Sequence, residues 1–263
     1  MESFERLRAE TAEPVYVLHE LVHNRIVTEQ MRARGAVFIA TPEELPPGAA
    51  CLIGAHGVEP KTERRLRERT SRLVDATCPI VKQVQQIAAQ VTRDEALVLL
   101  GVQGHPEAEG ILGHAGTAQR FLVTGVEEIA ELPELSKPVM LCQTTMHHEI
   151  VDRIFAALQK RFPSARRGGV ICHASSERQA AVEALVSHID LLLVIGSPHS
   201  SNANRLREIG ERSGIPSYLV DGPEQLPADL AKFTRIGVAA GASTPDEQIQ
   251  RVIGAVRKLE AFS

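Results

Sequence analysis

Histidine, serine, asparagine and threonine recur in this chain just after short apolar runs, where strands are expected to end. The members of this set are His19, His56, His105, Thr144, Ser200, Ser201, Asn202 and Ser243. Their side chains donate hydrogen bonds, and no surplus of Lys or Arg surrounds them. Most stand where a helical pattern begins, and a helix start offers free N–H groups and a positive dipole end. The pattern predicts a binding site for a phosphate or diphosphate.

Each of these residues also has a purely structural interpretation. Ser243, in the run Gly-Ala-Ser-Thr-Pro-Asp-Glu, could cap a helix whose first turn contains Asp246 and Glu247. Ser200, Ser201 and Asn202 could serve as caps in the same way. A single histidine of this kind is more often a structural side chain, but three at equivalent positions favour a functional role.

Two cysteines also stand at equivalent places. Cys78 and Cys172 each come at the entry to a helical pattern, 94 residues apart. A helix start favours the thiolate, which is the form that binds metal. The alternative is that each thiol is a small buried hydrophobe.

The other two cysteines are weaker candidates for metal binding. Cys142 lies two residues before Thr144 at the same strand end. It is either a replacement metal ligand, in place of the cysteine that the repeat predicts, or a small side chain that fills the core. Cys51, inside the run Ala-Cys-Leu-Ile-Gly-Ala, is interpreted as core.

Nine short apolar runs predict the strands that position these residues. They form three repeated α/β units, each reading strand, helix, strand, strand, helix, and we call them repeats one, two and three. The predicted boundaries are residues 1–77, 78–171 and 172–263. Corresponding positions recur at steps of 86 to 99 residues, as with His19, His105 and His199. The repeat also predicts a third cysteine upstream of Val15, and none occurs there.

This order of elements predicts small, mostly parallel sheets covered by helices. Ligands of such sheets bind beyond the carboxyl ends of the strands, where the polar residues named above are expected. If the three units pack around a pseudo-threefold axis, these strand ends converge on one central cavity. Three separate sites are the competing arrangement.

Composition excludes several classes of protein. The chain has 263 residues, 43% hydrophobic and 24% charged, with a net charge of −4 and nine aromatic residues. Neither the basic balance nor the aromatic ladder of a nucleic-acid binder is present. No apolar run approaches the roughly 20 residues that span a bilayer, and the charged N-terminus is unlike a secretory signal. We expect a cytoplasmic protein without membrane or nucleic-acid partners.

Seven motifs match a known family in order and spacing. They are HELVHN, AHGV, DATCP, GHPEAEG, QTT, GSPHSSNANRL and GASTPD. In these motifs the sequence resembles the 4-hydroxy-3-methylbut-2-enyl diphosphate reductases, the LytB-type iron–sulfur enzymes that end the non-mevalonate isoprenoid pathway. The resemblance implies a trefoil around a [4Fe–4S] cluster held by three cysteines, with the fourth iron open to substrate.

The resemblance also implies roles for individual residues. Cys78 and Cys172 would bind the cluster, Glu107 would deliver protons, and Thr144 would lie near the substrate hydroxyl. The diphosphate would be held by His19, His56, His105, Ser200, Ser201, Asn202 and Ser243. An electron donor such as ferredoxin or flavodoxin would be a partner.

Two departures from the family pattern affect the cluster. The opening strand and the Gly-Phe-Cys-Ala-Gly-Val motif with the first cluster cysteine are absent. After Cys172 the chain has His173, Ala174 and Ser175 where the family commonly has Tyr-Ala-Thr. Cys142, an added thiol, a water or a partner chain would then complete the coordination.

Three functions are therefore expected from the sequence. The first is reductive dehydroxylation of 4-hydroxy-3-methylbut-2-enyl diphosphate to isopentenyl and dimethylallyl diphosphate. The second is a diphosphate-binding homologue with an altered or lost cluster. The third is a related iron–sulfur enzyme with different chemistry. Glu107 favours an enzyme, because an acid beside an anion does not help a pure binder; its structural alternative is a solvated carboxylate at a helix start.

Overall fold

The fold consists of three parallel sheets and the helices that connect and cover their strands. A computed structural model describes residues 1–11, 14–116 and 118–260. The helices are α1 (Glu2–Ala9), α2 (Arg25–Ala33), α3 (Pro60–Arg69), α4 (Pro79–Ala89), α5 (Pro106–His114), α6 (His148–Arg161), α7 (His173–Val186), α8 (Ser201–Arg212) and α9 (Asp246–Glu260). The strands are β1 (Val15–Leu18), β2 (Ala36–Ile39), β3 (Ala50–Ile53), β4 (Arg72–Asp75), β5 (Ala96–Leu100), β6 (Gln119–Val123), β7 (Pro138–Cys142), β8 (Arg166–Arg167), β9 (Leu191–Ile195), β10 (Ser217–Val220) and β11 (Ile236–Ala240).

All strand pairs in the three sheets are parallel. Sheet A has the order β2-β1-β3-β4 and sheet B has the order β6-β5-β7-β8. Sheet C, with the order β10-β9-β11, contains three strands among the described residues. The nine predicted strands and the repeated α/β plan are confirmed. The structure adds the short edge strands β4 and β8.

Central strands are apolar along their whole length because helices cover both faces of a parallel sheet. Every residue of β5 and of β9 is buried. On one face of sheet B, Val98 and Met140 pack with Ile154 of α6. On the other face, Leu97 and Leu99 pack with Ile111 of α5 and Val84 of α4. Sheet B therefore holds α5 firmly beside the carboxyl ends of its strands.

The chain divides into two compact units. The first comprises residues 1–21 and 28–171, and the second comprises residues 22–27 and 172–263. Repeats one and two as predicted thus lie mainly in the first compact unit, and repeat three lies in the second.

Residues 22–27 belong to the second compact unit through a buried polar network. Asn24 donates from Nδ2 to Oε1 of Gln248 over 3.0 Å and accepts at Oδ1 from the Val27 N–H. Gln248 in turn donates from Nε2 to the backbone oxygen and to Oδ1 of Asp221, at 2.8 and 2.9 Å. Arg25 completes the network with an ion pair to Asp221. These contacts fix the start of α2 against the turn after β10 and against α9.

Within the described ranges, no helix combines the length and the apolar character needed to cross a membrane.

Candidate functional site

Glu107 and Thr144 lie together at the carboxyl end of sheet B. Leu100 at the end of β5 pairs with Cys142 at the end of β7, so the loops that follow these strands are neighbours. Glu107, in the first turn of α5, is 2% exposed. The backbone N–H of Thr144 donates to Oε1 of Glu107 over 2.6 Å. The structure thus brings the expected proton donor and the expected hydroxyl-binding residue into direct contact.

Burial controls the protonation of Glu107. Removal from water raises the pKa of its carboxyl above the usual range, and hydrogen bonds from Thr144 offset only part of that effect. The side chain therefore keeps its proton to higher pH than an exposed glutamate does. Such a group is suited to general acid catalysis.

His105 stands at the N-cap of α5 and has a defined tautomer. Its Nδ1 accepts a hydrogen bond from the Glu107 N–H over 3.1 Å, so the proton of the neutral ring is on Nε2. His56, which follows β3, meets this ring edge to face with 5.2 Å between the centroids. His56, His105, Glu107 and Thr144 therefore form one continuous set of contacts within the first compact unit.

His19 lies beside that set. It follows β1, is exposed, and has a φ of 59°, in the left-handed region that few non-glycine residues adopt. Its side chain lines a cavity of about 500 Å³ together with Gly57 and Pro106, the chain neighbours of His56 and His105. The cavity thus borders the loop that contains His56 and the loop that contains His105.

The second compact unit contains the serine and asparagine residues. Ser200 is the N-cap of α8, and its Oγ accepts from the Ala203 N–H over 3.3 Å. The buried Asn202 donates from Nδ2 to Ser175 Oγ over 2.9 Å and accepts at Oδ1 from the Ala242 N–H over 3.0 Å. Asn202 therefore links α7 to the loop after β11.

Ser201 and Ser243 are both half-buried in this unit. Ser201 is the first residue of α8. Ser243 lies in the turn after β11, three residues before the first residue of α9, rather than next to that helix as the capping interpretation expected.

The four cysteines differ in accessibility. Cys78 and Cys172 are half-buried free thiols at the N-caps of α4 and α7, and neither side chain makes a capping hydrogen bond. Cys51 and Cys142 are buried in the core, and burial raises the pKa of each to about 12. The core interpretation of Cys51 is confirmed.

The donor chemistry suits an iron–sulfur cluster at two positions. Cys78 and Cys172 combine solvent access with a position at a helix start, and cysteine sulfur is the ligand of iron–sulfur clusters. Two accessible thiols at helix starts, those of Cys78 and Cys172, are thus present among the described residues.

Sequence analysis gave no individual role to two buried side chains, His147 and Gln143. His147 caps α6, and its Nδ1 accepts from the Glu149 N–H over 3.3 Å, as His105 does in α5. The shared signal is the spacing His-X-Glu at both helix starts. Gln143, in the Gln-Thr-Thr turn, accepts at Oε1 from the Val102 N–H over 2.5 Å, a contact for which the sequence gives no signal.

Comparisons of this chain with a family model and with known proteins point to one family. The model of the family described as LytB protein matches residues 1–257. The chain is 39% identical to 4-hydroxy-3-methylbut-2-enyl diphosphate reductase 2 of Burkholderia mallei, covering 98% of this chain and 81% of the relative. It is 41% identical to the reductase of the same name from Chromohalobacter salexigens, covering 94% of this chain and 81% of the relative.

A solved structure has the same fold as this chain. The E-1-hydroxy-2-methyl-but-2-enyl-4-diphosphate reductase of Plasmodium falciparum superimposes with a TM-score of 0.90 at 28% identity. The match covers 96% of this chain and 81% of that one.

Proposed function

This chain belongs to the LytB protein family, and from that premise we propose that it is a 4-hydroxy-3-methylbut-2-enyl diphosphate reductase. The reaction replaces the allylic hydroxyl of the substrate with hydrogen. Two electrons and two protons enter, the C–O bond breaks, and water leaves together with isopentenyl or dimethylallyl diphosphate.

The observation that carries this function is the buried contact between Glu107 and Thr144. An acid whose burial favours the protonated form lies beside residues suited to an anion, which supports catalysis over binding alone. Glu107 would give its proton to the departing hydroxyl oxygen, so that water rather than hydroxide leaves. Thr144 would hold that hydroxyl.

The diphosphate would be bound by the residues that the family motifs assign. These are His19, His56, His105, Ser200, Ser201, Asn202 and Ser243. Nδ1 of His105 accepts from the Glu107 N–H, so His105 would use Nε2 to donate to a phosphate oxygen. The hydroxyl of Ser200 accepts from the Ala203 N–H, and its own proton can be donated in the same way.

We propose Cys78 and Cys172 as protein ligands of a [4Fe–4S] cluster. When bound, the cluster supplies the electrons of the reaction, which reach it from a donor of the ferredoxin or flavodoxin type. Cys142 is a poor candidate for a further ligand, because its side chain is buried in the apolar core of sheet B. An added thiol, a water or a partner chain would complete the coordination.

Turnover by a Glu107→Gln variant tests this function. The glutamine keeps the size of the side chain but cannot supply a proton. With anaerobically reconstituted protein, dithionite and a viologen, we expect turnover of the allylic hydroxy-diphosphate to fall by roughly 10²-fold or more. Diphosphate affinity and iron content should stay at the wild-type level.

The matched control is Glu149→Gln. Glu149 occupies the equivalent position after His147 in α6 but is exposed, so its variant should turn over like the wild type. Equal turnover by the Glu107→Gln variant and the wild type would contradict the role given to Glu107.

A diphosphate-binding homologue without reductase activity is the second candidate. Among the described residues, the accessible thiols at helix starts are Cys78 and Cys172, fewer than the three that the family resemblance implies, and this favours it. Wild-type protein that binds the diphosphate but shows no turnover after reconstitution would establish this second function.

A further inference from the structure

Gln143 is a fully buried glutamine at the carboxyl end of sheet B. It directly follows β7, and its backbone N–H donates to the Leu100 oxygen over 3.0 Å. Its own backbone oxygen accepts from the Met146 N–H over 3.2 Å. The backbone of this residue therefore belongs to the sheet, while its side chain is free to reach the next loop.

The side-chain amide of Gln143 connects the loop after β7 to the loop after β5. Its Oε1 accepts from the Val102 N–H over 2.5 Å, in the loop that leads from β5 to His105 and Glu107. Gly101 makes room for the amide, since a Cβ added there would lie 2.9 Å from Oε1. The bond to Val102 also fixes the orientation of the amide, because only the oxygen can accept from an N–H.

The same two loops are joined a second time at Glu107. The Thr144 N–H that donates to Glu107 Oε1 belongs to the residue next to Gln143. Any shift between the loops would therefore change the hydrogen bond that stabilises the charged form of the Glu107 carboxyl.

We propose that Gln143 is a positioning residue for Glu107, its amide fixing the separation of the two loops and so the Thr144 to Glu107 hydrogen bond. The relevance of this bridge to the reaction rests on the proposed function. Gln143 acts through Val102 and Thr144 and is not itself given a contact with substrate.

Among the residues that the structure describes, the causes given for the pKa shift of Glu107 are burial and the hydrogen bonds from Thr144. The Cys142 thiol of β7 feels the Glu107 charge, but its pKa of about 12 keeps it neutral over the useful range. Arg167 of β8 interacts with that same thiol. His105 precedes α5 and accepts from the Glu107 N–H, and His56 contacts His105. A change in the Thr144 bond should therefore be visible in the Glu107 titration.

Titration of Glu107 in a Gln143→Met variant tests the bridge. The protein is labelled with ¹³C at the glutamate carboxyls and prepared without a cluster, and the Glu107 signal is the one missing from Glu107→Gln. Loss of the amide should loosen the Thr144 bond while burial persists. We expect the titration midpoint of Glu107 to rise by about one pH unit.

Two controls separate bridging from general loosening of the core. Gln85 on α4 is also buried, and its Nε2, like that of Gln143, has no hydrogen-bond partner among the described residues. Gln85→Met and the exposed Gln119→Met should leave the Glu107 midpoint at its wild-type value. An equal rise in Gln85→Met, or no rise in Gln143→Met, would overturn the proposal.

Gly101→Ala provides a test that keeps Gln143 in place. The added methyl would lie 2.9 Å from Gln143 Oε1 and 3.1 Å from Leu122 Cδ1, so it should displace the amide. We expect a smaller rise in the same direction, and an unchanged midpoint would refute the bridge even if Gln143→Met does not fold. Because the readout needs no turnover, an inactive wild type would count against the proposed function and not against this inference.

Discussion

Burial separates the four cysteines of this chain into two chemical classes. Cys51 and Cys142 lie in the core with a pKa raised to about 12 and behave as small apolar side chains. Cys78 and Cys172 are half-buried at helix starts, where a ligand can reach their sulfur atoms. Residue type alone does not distinguish the two classes, but accessibility does.

Iron content should follow this division. In anaerobically prepared protein, Cys78→Ser and Cys172→Ser should each lose most of the bound iron and acid-labile sulfide, because a serine hydroxyl is a poor substitute for a thiolate. Cys51→Ser should retain both at the wild-type ratio per chain. A Cys78→Ser, Cys172→Ser double variant with full iron and sulfide would show that other residues hold the metal.

At the scale of the secondary structure element, several residues of the candidate site lie at helix starts. His105 and Ser200 each cap a helix with a side-chain acceptor. Capping and anion binding are compatible, since the cap uses one atom and leaves a donor for the ligand. The structural and functional interpretations of these residues therefore hold together rather than exclude each other.

In the second compact unit, a buried hydrogen-bond network surrounds Gln248. Gln248 makes three hydrogen bonds there, two to Asp221 and one from Asn24. Together they link α9, the turn after β10 and the start of α2. Truncation of this side chain would remove all three of these buried hydrogen bonds.

Gln248→Ala should lower the free energy of unfolding by about 2–4 kcal/mol, because three buried hydrogen bonds are lost. Gln250→Ala, at an exposed position on the same helix, should stay within about 0.5 kcal/mol of the wild type. Urea unfolding followed by circular dichroism measures both. Similar values for the two variants would mean that the network contributes little to stability.

At the scale of the whole molecule, each compact unit contributes candidate anion-binding residues. His56 and His105 belong to the first unit, and Ser200 and Ser243 belong to the second. All of them follow strands or begin helices, so their placement depends on the fold and not on a metal. Binding of the diphosphate should therefore be separable from cluster assembly.

Protein prepared without a cluster should bind an isoprenoid diphosphate more tightly than the matching alcohol. Ligand at 100 times its Kd should add about 2.7 kcal/mol to the free energy of unfolding. Titration calorimetry and thermal unfolding with both compounds test this expectation. Equal affinity for alcohol and diphosphate would show that the donors do not form an anion site.

The sequence by itself determined the features that are encoded locally. Alternation of apolar runs with helical patterns predicted nine strands and the repeated parallel α/β plan, and the structure confirms both. The edge strands β4 and β8 escaped notice because Arg72–Asp75 and Arg166–Arg167 are short and largely polar. The motifs also placed Glu107 and Thr144 at strand ends, without showing that they touch.

Only the tertiary structure decided which of these strand ends meet. Thr144 reaches Glu107, 37 residues away, because β5 and β7 pair in a register that sets Leu100 opposite Cys142. The bridge from Gln143 to Val102 depends on the same pairing. Capping and periodicity are properties of neighbouring residues, whereas contact and burial depend on strands distant in the chain. The protonation of Glu107 and of the buried thiols is therefore a property of the fold.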